Sequence, residues 1–176
     1  MAKSYMVSSD DFHRIFGNGL KIIKFQQLRD YSDIRQLLPK QRDFCILFYQ
    51  DDKQGDTNIG HWCSIYRDGD EYQFYDPYGL SQTKELGYIE KDKRILYGEG
   101  FDYLTKLLDT TNHTYNPYDF QSWDSGTNTC GRWSILKAYA FLNGIITPKE
   151  FYKLISKKKK DGKFKSFDDV AVYYTS

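Results

Sequence analysis

Gly60-His61-Trp62-Cys63-Ser64-Ile65-Tyr66-Arg67-Asp68-Gly69-Asp70-Glu71-Tyr72-Gln73-Phe74-Tyr75-Asp76-Pro77 reads as two strands joined by a tight turn. Trp62, Ser64 and Tyr66 alternate with Cys63 and Ile65, and Tyr72, Phe74 and Asp76 alternate with Gln73 and Tyr75. That is the period of two of a pleated strand. The Asp68-Gly69 pair between the two runs is a hairpin signal. His61, at the start of the first strand, and Asp76, at the end of the second, then meet at one end of an antiparallel pair. A hydrogen bond between their side chains is expected from the turn alone.

Working outward, Phe44 to Tyr49 is a continuous apolar run suited to a buried strand. Ser8/Ser9-Asp10-Asp11 before Phe12, Ile15 and Phe16 predicts a capped short helix ending at Gly17, and Ser32 to Leu38 a second, stopped by Pro39. Phe101 to Leu108 predicts a helix, Tyr115 to Phe120 a short strand leading to Gln121, and Ser122–Thr129 a polar loop. Gly131 to Leu142 is apolar nearly all round, apart from Arg132, Ser134 and Lys137, which marks a largely buried helix with Cys130 at its start. Thr147-Pro148-Lys149-Glu150 is a capping-box start with Pro at the first helical position, and Ser166 caps a last short helix, Phe167 to Val172. Helices around a small central sheet, mixed or antiparallel, make the expected fold class α+β. With no repeat, low-complexity linker or composition break, residues 1–176 are expected to be one domain.

Hydrophobic residues make up 40% of the 176 and aromatics 18%, too apolar for a disordered chain. No apolar run approaches the ~20 residues of a membrane span, and Met1–Phe12 lacks the pattern of a signal peptide. Cys45, Cys63 and Cys130 are an odd number without disulfide-scaffold spacing. A reducing, intracellular setting is therefore expected, not secretion. The net charge of +1 points to no partner, but eight lysines stand against Glu150 and Asp161 between Lys149 and Lys165. The run Lys157–Lys160 reads either as a solvated helix end or as a polyanion-binding patch.

The chemistry lies in the order His61, Asp76, Gln121, Cys130: a base, an acid to orient it, an amide donor and a thiol. At a helix N-terminus the unsatisfied N–H groups and the dipole favour thiolate over thiol. Gln121 and the Cys130 backbone N–H would hold an oxyanion, a donor of this kind being worth ~3 kcal/mol in the transition state. Taken alone each residue has a plainer reading: a core cysteine, a strand-edge histidine, a turn aspartate, a loop glutamine. Trp62 either walls a substrate channel or packs in the core. His13 and His113 are weaker candidates. His61-x-Cys63 offers two metal ligands but no CxxC or HxxxH partner, so no metal and no cofactor are expected.

These residues resemble the adenain and SUMO-protease group of cysteine peptidases. The likeness rests on Gly60-His61-Trp62, Phe74-Tyr75-Asp76-Pro77-Tyr78-Gly79-Leu80, Gln121 and Cys130-Gly131, and spans roughly His61 to Leu142. It implies a papain-like α+β fold with the nucleophile on a buried central helix, and a His61, Asp76, Cys130 triad with Gln121 in the oxyanion hole. It also implies cleavage after small residues of Gly-Gly or Gly-x-Gly type, with Trp62 lining a narrow channel. The nine positions from Gln121 to Cys130 are more than is usual in the group, which leaves Ser122, Asp124 or Asn128 as alternative donors. Length and composition favour a maturation protease of a DNA virus, of the adenovirus or virophage capsid type. Such an enzyme would trim capsid or scaffold precursors in the host cytoplasm, virus factory or virion, with a DNA or peptide activator held through Lys157–Lys160. The alternatives are an isopeptidase that removes ubiquitin-like modifiers, a catalytically silent module that holds a glycine tail, and a thiol acyltransferase.

Overall fold

The computed structural model describes residues 5–124 and 126–176, so the first four residues of Met1–Phe12 and one position of the Ser122–Thr129 loop lie outside it. Its described strands form one sheet in the order β1 (Ile22–Lys24), β2 (Arg42–Gln54), β3 (Thr57–Asp68), β4 (Glu71–Tyr75) and β5 (Asn112–Tyr115). The outer pairs β1/β2 and β4/β5 are parallel, and β2, β3 and β4 form an antiparallel meander, so the sheet is mixed. Helices α1 (Ser9–Phe16), α2 (Ile34–Leu37), α3 (Gln82–Tyr88), α4 (Lys91–Leu96) and α5 (Tyr103–Leu108) lie before the proposed nucleophile in the chain. Helices α6 (Cys130–Leu142), α7 (Pro148–Asp161) and α8 (Phe167–Tyr174) follow. The protein is α+β.

Both faces of the meander are covered, which explains why Phe44 to Tyr49 is apolar without alternation. Cys45, Leu47, Tyr49, Cys63, Ile65 and Phe74 form one core with residues of α2, α3 and α5. Tyr66 and Tyr75 meet Trp133 and Phe141 of α6, Phe151 of α7 and Val170 of α8. Arg132, Ser134 and Lys137 are buried although polar, so α6 is enclosed on every side of its first turns. Lys137 donates from Nζ to the Ile146 carbonyl at 3.1 Å, and burial pushes its amine down to about 7.

The hairpin is present in the expected register with a different turn. Asp68 still pairs with Glu71, so the loop is Gly69-Asp70, and Gly69 at φ +63° is the first central residue of a II′ turn. The first strand also starts earlier than expected. β2 and β3 run on to Gln54↔Thr57 around a second Gly-Asp loop, Gly55-Asp56. That extension is exposed and polar, so no apolar alternation marks it. His61 therefore lies inside β3, not at its start. The short strand expected at Tyr115 to Phe120 is instead Asn112–Tyr115. The Asn116 N–H still donates to the Phe74 carbonyl, but Pro117 has no N–H to carry the ladder on, and the Asn116 side-chain amide bonds the Asp76 and Tyr118 carbonyls.

Candidate active site

Asp76 sits immediately beyond the last β3/β4 pair, Ser64↔Tyr75, and is completely buried. His61 donates from Nε2 to Asp76 Oδ1 at 2.7 Å. The acid is fixed from three directions. Tyr78 N donates to Oδ1 at 3.0 Å, Asn116 holds its carbonyl at 3.0 Å, and the Gly79 N–H closes a turn onto that same carbonyl at 2.9 Å. The Tyr78 ring lies flat on the imidazole, centroids 5.0 Å apart and 19° between planes. Trp123 stacks on the far side of Tyr78 at 3.9 Å. Burial alone would push the imidazole down, but the acidic groups around it, Asp76 hydrogen-bonded to it, outweigh that and hold it well above its ordinary range. With Nε2 committed to Asp76, Nδ1 is the ring nitrogen left for a thiol.

Cys130 is the first residue of α6 and is half-buried. With Trp62 and Asn128 it lines a groove of about 560 Å³ that also meets Val7, Ile22 of edge strand β1, and Gly60. Trp62 packs against Phe12 and Phe48, donates from Nε1 to the Val7 carbonyl at 2.8 Å, and walls the groove. Two glycines make this close packing. A Cβ on Gly60 would stand 1.9 Å from the Tyr49 carbonyl oxygen, and one on Gly131 would stand 2.4 Å from Val7 Cβ.

Gln121 is buried, and its backbone is tied to the acid's own turn, since the Phe120 and Gln121 N–H groups both donate to the Pro77 carbonyl. Its amide donates weakly to the Thr127 carbonyl at 3.4 Å, and Oε1 accepts nothing. Of the alternative donors, Asn128 lines the groove beside Cys130, whereas the Ser122 N–H is engaged by Asp168. His13 also lines the groove and bonds the Gly17 carbonyl, whereas the exposed His113 bonds the Thr111 carbonyl.

The thiol packed against the His61–Asp76 pair is Cys63. Ligand atoms of His61, Cys63 and Asp76 lie within 4.8 Å of one another, a group that could hold a metal ion. The fit is poor, because ligand atoms about 2.0–2.1 Å from zinc stand roughly 3.3 Å apart in a tetrahedron. The 2.7 Å His61–Asp76 contact is a hydrogen bond and not a tetrahedral edge. Cys63 is fully buried and its thiol is pushed well up by burial; Cys45, equally buried, is pushed up to about 12.

Sequence reasoning missed Glu85. This α3 residue is buried beside Asp76 and close to His61, and burial holds its carboxyl well above the usual range despite the pull of the imidazole. Asp76 Oδ2 accepts no hydrogen bond. A proton on Glu85 would make that carboxyl a donor within reach of Asp76. Nothing in Ser81-Gln82-Thr83-Lys84-Glu85 marks it in sequence. No family model matches the chain. It is similar to a virophage protein. The uncharacterized protein V9 of Sputnik virophage is 29% identical over 134 residues, 74% of each chain.

No helix among the described residues is long and apolar enough to cross a membrane. The Lys157–Lys160 run lies on the last turns of α7, where Lys157 pairs with Asp161, and Lys158 and Lys159 lie over the Tyr174 and Phe167 rings.

Proposed function

We propose that the protein is a cysteine endopeptidase with a papain-like site of the adenain and SUMO-protease kind, cutting after small residues. The observation that carries this reading is the buried His61–Asp76 hydrogen bond, with Cys130, at the start of α6 and lining a groove, close enough to act on the imidazole. Cys130 gives its proton to His61 Nδ1, and the thiolate attacks the scissile carbonyl carbon. The oxyanion is held by the Cys130 N–H and a Gln121 amide N–H. His61 then returns the proton to the leaving amine as the C–N bond breaks. Water, deprotonated by His61, attacks the thioester and releases the new carboxylate with the thiol. The groove suits an extended chain beside the β1 edge, and the crowding of Gly60, Trp62 and Val7 favours small side chains at the cut.

The likeness to a virophage protein supports a viral setting, with capsid or scaffold precursors as substrates. The test is labelling with a peptidyl-glycine vinyl ester, wild type beside Cys130→Ala, Cys63→Ala and His61→Ala. Labelling confined to Cys130 and dependent on His61 is expected. A protein that is not labelled, or is labelled at Cys45 or Cys63, is not this enzyme.

A further inference from the structure

Thr129 is the N-cap residue of α6, the residue type that ordinarily turns its hydroxyl back to accept from the first helical N–H groups. Here it makes no such bond. Its hydroxyl donates instead to Asp168 Oδ1 in α8. The same carboxylate accepts the Trp133 Nε1–H on Oδ1 at 3.2 Å and the Ser122 N–H on Oδ2 at 2.9 Å. Asp168 is buried, and its three donors flank the proposed chemistry. Ser122 follows Gln121, Thr129 precedes Cys130, and Trp133 stands one turn further along α6.

We propose that Asp168 is a positioning residue for the oxyanion hole, clamping both ends of the Gln121–Cys130 loop. The inference rests on the peptidase reading above. One carboxylate does two things at once. It draws the Thr129 hydroxyl away from the start of α6, so that the helix end beside Cys130 is not blocked by its own cap. It also fixes the Ser122 peptide, which sets the distance between the Gln121 amide and the Cys130 N–H. The Pro77 carbonyl holds the Gln121 end of the loop to the Asp76 turn, and the Asp168 cross-link ties that end to the start of α6.

The bland alternative is a buried carboxylate that merely joins α8 to α6. The two are separated by reactions that do and do not need an oxyanion. Asp168→Asn keeps an acceptor for Thr129 and Trp133 but sets an amide N–H against the Ser122 N–H. Thr129→Val removes the hydroxyl, and Thr129→Ser keeps it. Each is assayed with peptidyl-Gly-Gly-aminomethylcoumarin, with a peptidyl-glycine aldehyde inhibitor, and by iodoacetamide alkylation of Cys130, a displacement that builds no oxyanion. For Asp168→Asn and Thr129→Val, kcat is expected to fall about tenfold or more. KM should stay within about threefold, aldehyde affinity should weaken in step with kcat, and alkylation should stay within about twofold. Thr129→Ser should recover most of what Thr129→Val loses. The proposal is overturned if kcat is unchanged in both variants, or if alkylation and thermal midpoint fall in parallel with kcat, the mark of a purely structural link. If wild-type protein neither cleaves nor reacts selectively at Cys130, the peptidase reading fails and this inference falls with it. Wild-type activity with both variants indifferent overturns this inference alone.

Discussion

Glu85 and Asp76 are two carboxyls of the same chemistry placed side by side in one site. Asp76 accepts from an imidazole and a backbone N–H, while burial beside it holds the Glu85 carboxyl well above its ordinary range. Because the folded carboxyl is held above its unfolded value near 4.5, the folded state binds the extra proton. Its contribution to stability is complete below that value and is lost as pH rises through the folded value. Glu85→Gln keeps a permanent donor to Asp76 and cannot ionise, so its advantage over wild type should grow from mildly acidic towards alkaline pH in urea melts. If Glu85 donates to Asp76, Glu85→Ala removes that donor and should cost about 1–3 kcal/mol at neutral pH. An equal response of the two variants would show that Asp76 does not use the Glu85 proton. At the same scale, Asp76→Asn should lower turnover by orders of magnitude with the fold retained, as the imidazole loses the anion that stabilises its charge. An unchanged rate would leave Asp76 a turn residue.

At the scale of elements, the β2/β3 pair presents His61, and two local devices keep it in place. Gly60 pairs with Gln50 where the backbones come so close that any Cβ meets the Tyr49 carbonyl. Gly60→Ala should therefore cost about 2–3 kcal/mol and lower turnover beyond what the lost stability explains, since Tyr49 is the pairing partner of His61. Denaturant melts and initial rates would check both. Just beyond, the ladder shifts between Gln50 and Asp52, and the Gln50 N–H is taken by Glu99 Oε1 at 2.7 Å. Burial raises the Glu99 carboxyl to about 7, so its stabilising effect is lost as pH climbs from 4.5 to 7. Glu99→Gln retains the acceptor without the charge. It should flatten the stability profile across that window and be the more stable protein at pH 8, by at most about 3 kcal/mol. Parallel pH profiles of variant and wild type would refute this.

For the molecule as a whole, the near-neutral charge hides an asymmetry that gathers lysines at the C-terminal end of α7. If that end holds duplex DNA, cleavage should be faster with DNA at low salt, and the gain should vanish on raising salt from 50 to 200 mM. No effect of DNA at any salt would leave the run a solvated helix end. The α+β class, the hairpin register, the capped helices and the position of Cys130 at the start of a buried helix were legible in the chain, because each follows from spacing over a few residues. The His61–Asp76 contact was legible for the same reason, since one turn brings its two partners together. The extension to Thr57 and the strand at Asn112–Tyr115 were not. Polar edges carry no hydrophobic period, and Pro117 acts through a ladder whose partner strand is far away in sequence. Glu85, Asn116 and Asp168 lay beyond any local reading. Each is an ordinary polar residue until packing removes it from water. After that, its unmet hydrogen-bonding capacity fixes its partners, and only the tertiary fold chooses which groups are in reach.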